Sequence, residues 1–151
     1  MRLPKAVLER FREQGRVGGR VRAKRMSPAA RTSVAQRAAL QRWTRVRFGE
    51  SSFEAVGLPG GHIIDAGLSD LASSVESVES LLVSLAAPRL RREGVPVPKR
   101  VHSDPEERLY RLLEHTSGDL AHHRYIAYLR QAASFADACR LARRDRGRRA
   151  A

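Results

Sequence analysis

Two kinds of side chain in this sequence are suited to chemistry. His115, His122 and His123 stand around Gly118 and Asp119, and a helix corner there brings an imidazole beside a carboxylate, the pairing that general acid–base catalysis needs. The plainer expectation for these histidines is helix-end side chains satisfied by Asp119 or by backbone carbonyls. Arginine is the second kind. The stretch "GRVGGRVRAKRMSP", Gly15 to Pro28, sets Arg20, Arg22, Lys24 and Arg25 among three glycines, and guanidinium groups at that density suit phosphate oxygens. No metal site is expected, because no H-x-x-x-H or Cys/His cluster offers tetrahedral spacing. No cofactor is expected either.

Glycines beside basic residues also raise the question of a nucleotide loop. A phosphate-cradling P-loop requires a strand, then G-x-x-x-x-G-K-[ST], then a helix, so that successive N–H groups surround the phosphates. No strand signal precedes Gly15, and no Gly-Lys-Ser or Gly-Lys-Thr occurs. The spacing Gly15, Gly18, Gly19 also fails the dinucleotide pattern G-x-G-x-x-G. The expectation is therefore a flexible basic lead into a helix.

That helix is the element that must position the arginines. Ser27 supplies a cap, Pro28 the first helical position, and no Gly or Pro follows until Gly49. At about 100° per residue, Arg31, Arg42 and Arg45 share a narrow arc, while Ala35, Ala39, Leu40 and Trp43 fall on another. One face is expected to pack and the other to meet phosphates, with Arg20, Arg22, Lys24 and Arg25 following the backbone beside it.

Charge partitions the chain in the same sense. Residues 1–50 carry 14 basic and 3 acidic side chains, residues 51–87 carry 5 acids and no Lys or Arg, and residues 88–151 carry 15 basic and 8 acidic ones. The formal net charge of +13 favours an anionic partner. Of the basic residues 26 are Arg and 3 are Lys, a skew that a GC-rich genome also produces. The single Cys139 excludes an intramolecular disulfide and an all-cysteine zinc site. The apolar run "LLVSLAAP" is too short to span a bilayer, and the amino terminus lacks a secretory core. A bacterial cytoplasm is the expected setting.

Helix signals run along most of the sequence, and with only eight aromatic residues the expected fold is all-α, with a basic amino-terminal arm and helix joined by an irregular linker to a small helical bundle. The expected divisions are 1–48 for the arm and helix, 49–66 for the linker, 67–146 for the bundle and 147–151 for a basic tail. A short first helix is expected to stop at Gly15. Ser73 and Glu76 read as a capping box before a stripe of Val78, Leu81, Leu82 and Leu85, with Pro88 ending or kinking that helix. The stripe suits burial in the chain's own core, with a homo-oligomer or partner seam as the alternative. Asp104 and Pro105 start a further helix that ends at Gly118. The last helix runs from about Asp119 to Arg144, burying Tyr125, Tyr128, Leu129, Ala132, Ala136 and Cys139.

Three resemblances accompany this reading. Gly18 to Trp43, "GGRVRAKRMSPAARTSVAQRAALQRW", resembles a motif of small basic bacterial proteins: paired glycines, a basic run, Leu or Met with Ser-Pro, an Ala-rich helix and a final Arg-Trp. Those proteins usually carry glutamates after the Ser-Pro, where this chain has Ala29 and Ala30, and no functional residue is carried over from them. Arg146-Gly147-Arg148 resembles the core of an AT-hook without its prolines. Arg108 and His115 match the loose R-x4-6-H signature of HEPN-type helical ribonucleases.

The function expected is a small basic nucleic-acid-binding regulator, with DNA preferred over RNA and a protein partner or a second copy on the carboxy-terminal helices. Its division resembles that of an antitoxin from a bacterial toxin–antitoxin pair. The alternatives are a helical ribonuclease using His115 or His122 with Arg108, and a protein-binding adaptor.

Overall fold

Pro28 sets the first boundary of the fold. A residue before proline is driven to extended backbone, and Ser27 sits at φ −62°, ψ 156°, so one helix ends there and the next begins. The computed structural model describes residues 4–149, with side chains through Arg144. Helix α1 is Lys5–Arg25, α2 Pro28–Phe48, α3 Phe53–Val56, α4 Gly61–Ala72, α5 Val78–Arg92, α6 Pro105–Ser117 and α7 Ala121–Arg149, with a 3-10 turn at Gly118–Leu120 between the last two. The chain is all-α, and no strand occurs among the described residues. Arg146-Gly147-Arg148 falls within α7 as backbone, but its side chains and the end of the basic tail lie outside the described residues.

The first correction concerns α1. It does not stop at Gly15 but runs through Gly15, Gly18 and Gly19 to Arg25. Each glycine costs about 1 kcal/mol relative to alanine in a helix interior, which weakens a helix without ending it. Pro28 supplies the actual break. None of the side chains of α1 is buried.

The second correction concerns residues 49–66, which are not a linker. Phe53 on α3 is 0% exposed, and Ile63 and Ile64 on α4 are buried. Gly57 and Gly60 take positive φ of 76° and 71° to turn the chain between these helices, the conformation in which glycine carries no Cβ penalty. Gly61 and Gly67 have a different use. A Cβ on Gly61 would lie 2.7 Å from the Phe53 backbone, and one on Gly67 would fall on the Glu79 carbonyl and Val83, so Gly67 marks the close crossing of α4 and α5. Asp65 on α4 accepts the Glu54 N–H of α3 at 2.9 Å, tying the two helices together.

Burial raises the Asp65 pKa, although the hydrogen bonds from the Glu54 and Phe53 backbone pull it down. The folded state therefore holds that proton to a higher pH than the unfolded one, and ionisation at neutral pH opposes folding. Asp65→Asn keeps an acceptor oxygen without the charge. It is expected to be at least as stable as the parent at pH 7, its advantage vanishing near pH 3, where Asp65 is neutral in both states. Thermal melts at the two pH values check this, and a variant that loses stability at pH 7 refutes it.

Helix α5 begins four residues later than Ser73 would place it. Ser77 Oγ accepts the Ser80 N–H at 3.0 Å while Ser80 Oγ accepts the Ser77 N–H at 2.8 Å, which makes Ser77 and Ser80 the capping box. Ser73 is instead the C-cap of α4, and Glu76 pairs with Arg108. Pro88 does not end α5, which continues to Arg92. Ala87 and Leu90 are buried on either side of it, and burying a leucine contributes about 1.5–3 kcal/mol against the roughly 3 kcal/mol cost of an interior proline.

Two apolar clusters fill the interior. Phe53, Ile64, Leu68, Val83, Leu90 and Phe135 centre one, against which Leu40, Trp43 and Phe48 of α2 pack. Ile63, Leu81, Leu82, Leu109, Leu113 and Ala132 centre the other, with Val78 and Leu85 half-buried at its edge. The leucine stripe of α5 thus lies in the chain's own core. On α7, Ala132, Ala136 and Cys139 are buried as expected and Tyr125, Tyr128 and Leu129 are half-buried, but the largest buried group is Phe135. Helices α4, α5, α6 and α7 pack in sequence, and α2 lies on α4. Helix α2 therefore belongs to the folded body rather than to an arm.

Candidate nucleic-acid interface

Helix α2 is held at both ends by local chemistry. Ser27 Oγ accepts the Ala30 N–H at 3.2 Å, Pro28 occupies the first turn, and Gly49 at φ 86° closes the other end with its N–H on the Arg45 carbonyl. Its inner face is anchored by Ser33 and Thr44, both buried, together with Leu40, Trp43 and Phe48. Trp43, Phe48, Phe53 and Phe135 form an edge-to-face aromatic cluster, with Trp43 and Phe53 centroids 5.9 Å apart and Phe53 and Phe135 4.8 Å apart. That geometry favours aromatic pairs beyond their buried area.

Measured from Ser33 at about 100° per residue, Arg31, Arg42 and Arg45 fall about 120–180° away, on the side opposite the packed face. All three are exposed. Ala35 and Ala39, expected on the packed arc, are exposed as well. The packed face is rotated toward Ser33 and Thr44, two small polar residues that an apolar-periodicity reading passes over. Arg37 and Arg47 turn toward the body. Arg37 donates to Ser33 Oγ at 3.3 Å, and the Arg47 guanidinium lies 5.1 Å from the Trp43 ring centre.

From Arg31 to Arg45 the helix rises about 21 Å, the length of roughly six base-pair steps. Val46, 89% exposed, stands beside Arg42 and Arg45 on the same face, where an apolar group can meet a sugar or a thymine methyl. Sequence reasoning singled out neither Val46 nor Arg47. A β-branched residue left outward between arginines was the available signal.

Arg20, Arg22, Lys24 and Arg25 occupy the carboxy-terminal part of α1, which has no buried residue. These four and the three arginines of α2 are all exposed, and none lies within 4.0 Å of a carboxylate among the described residues. Three of the five acids of the central block are employed elsewhere. Asp65 bridges to α3, Asp70 accepts from Ser77 Oγ at 2.6 Å, and Glu76 holds Arg108. The structure thus gathers Arg31, Arg42 and Arg45 on one surface and places the other four on a separate helix ahead of it.

The histidines are arranged differently. His115, His122 and His123 are exposed, and His122 lies 6.4 Å, centre to centre, from both Tyr110 and His123. The Arg108 guanidinium is committed to Glu76 and to the Ser103 carbonyl. His102, which the sequence gave no reason to single out, pins an extended segment. Its Nε2 lies 3.2 Å from Ser80 Oγ, and its N–H donates to Ser84 Oγ at 3.2 Å. Asp104 stands at the N-cap of α6 with φ 46°, and its side chain caps nothing. Burial, with Glu93 adding to it, pushes the Cys139 thiol up to about 11, which removes its thiolate at neutral pH.

Among the described residues no group of three or more His, Cys, Asp or Glu is placed to hold a metal ion. No described helix is long and apolar enough to cross a membrane. No family model, curated protein or solved structure matches the chain. The class defined by the geometry is thus an all-α protein whose second helix is docked by one face and basic on the other.

Proposed function

We propose that the protein is a non-enzymatic nucleic-acid-binding regulator of the bacterial cytoplasm. The observation that carries this reading is the outward face of α2, where Arg31, Arg42 and Arg45 lie exposed and without a carboxylate partner among the described residues. The docked inner face fixes that surface in space, and the carboxy-terminal part of α1, ahead of it in the chain, is basic as well. Guanidinium groups held on a rigid helix meet phosphates at little entropic cost, and such contacts position a duplex without reading its bases. Duplex DNA is the preferred partner over RNA, since a helix presenting side chains on one face suits the wide major groove of B-form DNA. An antitoxin role, with a protein partner on the carboxy-terminal helices, follows by analogy with small bacterial regulators.

Binding of this kind releases counterions, so affinity falls linearly on a log–log plot against salt. Seven phosphate contacts, one for each of Arg20, Arg22, Lys24, Arg25, Arg31, Arg42 and Arg45, give an expected slope near −6 on duplex DNA, from about −0.9 per contact. Fluorescence anisotropy with a labelled 20-mer between 50 and 300 mM salt measures it, and a slope shallower than about −2 refutes the reading.

A further inference from the structure

A second cationic site lies on the other side of α2. The amino-terminal half of α2, the carboxy-terminal end of α4 and the extended segment before α6 enclose a cleft of about 750 Å³, within the size range of small-ligand sites. Its floor combines apolar groups, Ala29, Val34, Leu71, Ala72 and Pro98, with the hydroxyls of Ser33 and Ser73. Three cations from two separate elements line it, Arg37 from α2 and Lys99 and Arg100 from the extended segment, and no acidic residue does. None of the three is ion-paired among the described residues. The nearest acid of the neighbouring hollow, Glu76, is held by Arg108.

The cleft is built rather than incidental. Arg91 donates to the Pro98 carbonyl at 2.6 Å and to the Lys99 carbonyl at 3.4 Å, and His102 fastens the same segment to Ser84 of α5. The backbone that displays Lys99 and Arg100 is therefore tied on both sides of them. Ser33 Oγ and Ser73 Oγ lie 3.3 Å apart and bridge α2 to the end of α4. The N–H groups of Ser73, Ser74 and Val75 occupy the Ser69, Asp70 and Leu71 carbonyls at the end of α4. Ala29 and Ala30 bring the positive end of the α2 dipole to the same space.

A cleft lined by apolar groups and three cations, with no acid among them, has the chemistry of a site for a ligand that joins a flat or apolar body to a dianionic group. We propose that this cleft binds a phosphomonoester of mononucleotide size, its phosphate on Arg37, Lys99 and Arg100 and its base on the apolar floor. The source of that group is either a free nucleotide or the 5′-phosphorylated end of a strand. Arg31, Arg42 and Arg45 do not line the cleft, so its occupancy is separable from duplex binding by the outward face.

Isothermal titration of the full chain with AMP and with inorganic phosphate tests the site. AMP is expected to bind at least about tenfold tighter than inorganic phosphate, because the floor adds apolar contact. Lys99→Glu/Arg100→Glu is expected to weaken AMP at least about tenfold, the loss of one charge-assisted hydrogen bond or more. Arg124→Glu/Arg130→Glu, exposed on α7 and outside the lining, is expected to leave AMP binding unchanged. Thermal melts confirm that the variants fold, and Lys99→Ala/Arg100→Ala serves where the reversed charges do not. Displacement of AMP by a 5′-phosphorylated single strand but not by its 5′-hydroxyl twin assigns a strand end, and displacement by neither assigns the free nucleotide. The proposal is overturned by absence of AMP binding at millimolar concentration, by AMP binding no tighter than phosphate, or by equal AMP affinity in the folded Lys99/Arg100 variants.

Discussion

Replacing Arg31, Arg42 and Arg45 together by glutamate is expected to lower duplex-DNA affinity by several-hundredfold near 0.1 M salt. Each phosphate contact contributes about 0.9 to the slope of log affinity against log salt, so three lost contacts remove close to three decades at that concentration. The slope itself is expected to become shallower by about 3. The three side chains point away from the core, and α2 stays docked through Leu40, Trp43, Thr44 and Phe48, so the melting temperature is expected to change little. Arg124→Glu/Arg130→Glu/Arg144→Glu on α7, also exposed, is the matched control for bulk charge. Equal losses from the two sets would show that total charge rather than the α2 surface drives binding.

Phe53→Ala is expected to remove about 3–5 kcal/mol of stability, the range for truncating a buried phenylalanine. Phe53 is fully buried, with Phe135 at 4.8 Å, Trp43 at 5.9 Å and Phe48 at 6.1 Å, centroid to centroid. It is the ring on which α2, α3 and α7 converge. Domains of this size are stable by about 5–15 kcal/mol in total, and each kcal/mol shifts the midpoint by about 2–4 °C. A fall of about 6–20 °C in the thermal midpoint is therefore expected, with a matching decrease in urea midpoint. A change below about 1 kcal/mol would mean that residues 49–66 behave as a linker after all.

How far the fold was legible depends on which residues carried the signal. The ends of α2 were plain, because Ser27, Pro28 and Gly49 act through local backbone chemistry that needs no tertiary partner. The outward arc of Arg31, Arg42 and Arg45 was legible for the same reason, since helical spacing alone sets it. Helices α3 and α4 were hidden by their glycines. Gly57 and Gly60 do turn the chain, but Gly61 and Gly67 are there so that neighbouring backbones can touch. A glycine kept for close approach reads in sequence like one kept for flexibility. Pro88 misled in the opposite sense, since only the burial of Ala87 and Leu90 explains why α5 continues past it. The cleft around Arg37, Lys99 and Arg100 was not legible, because it joins segments about 60 residues apart in sequence.

The aromatic cluster has a consequence for observation. Trp43 is the chain's single tryptophan, and its indole is wedged between the core phenylalanines and the Arg47 guanidinium, with Arg42 the preceding residue on the outward arc. The protein therefore carries its own optical reporter at the joint between its scaffold and its basic surface. Light emitted from that one ring registers whether the arginine-bearing helix is seated, without a label and without altering Arg31, Arg42 or Arg45.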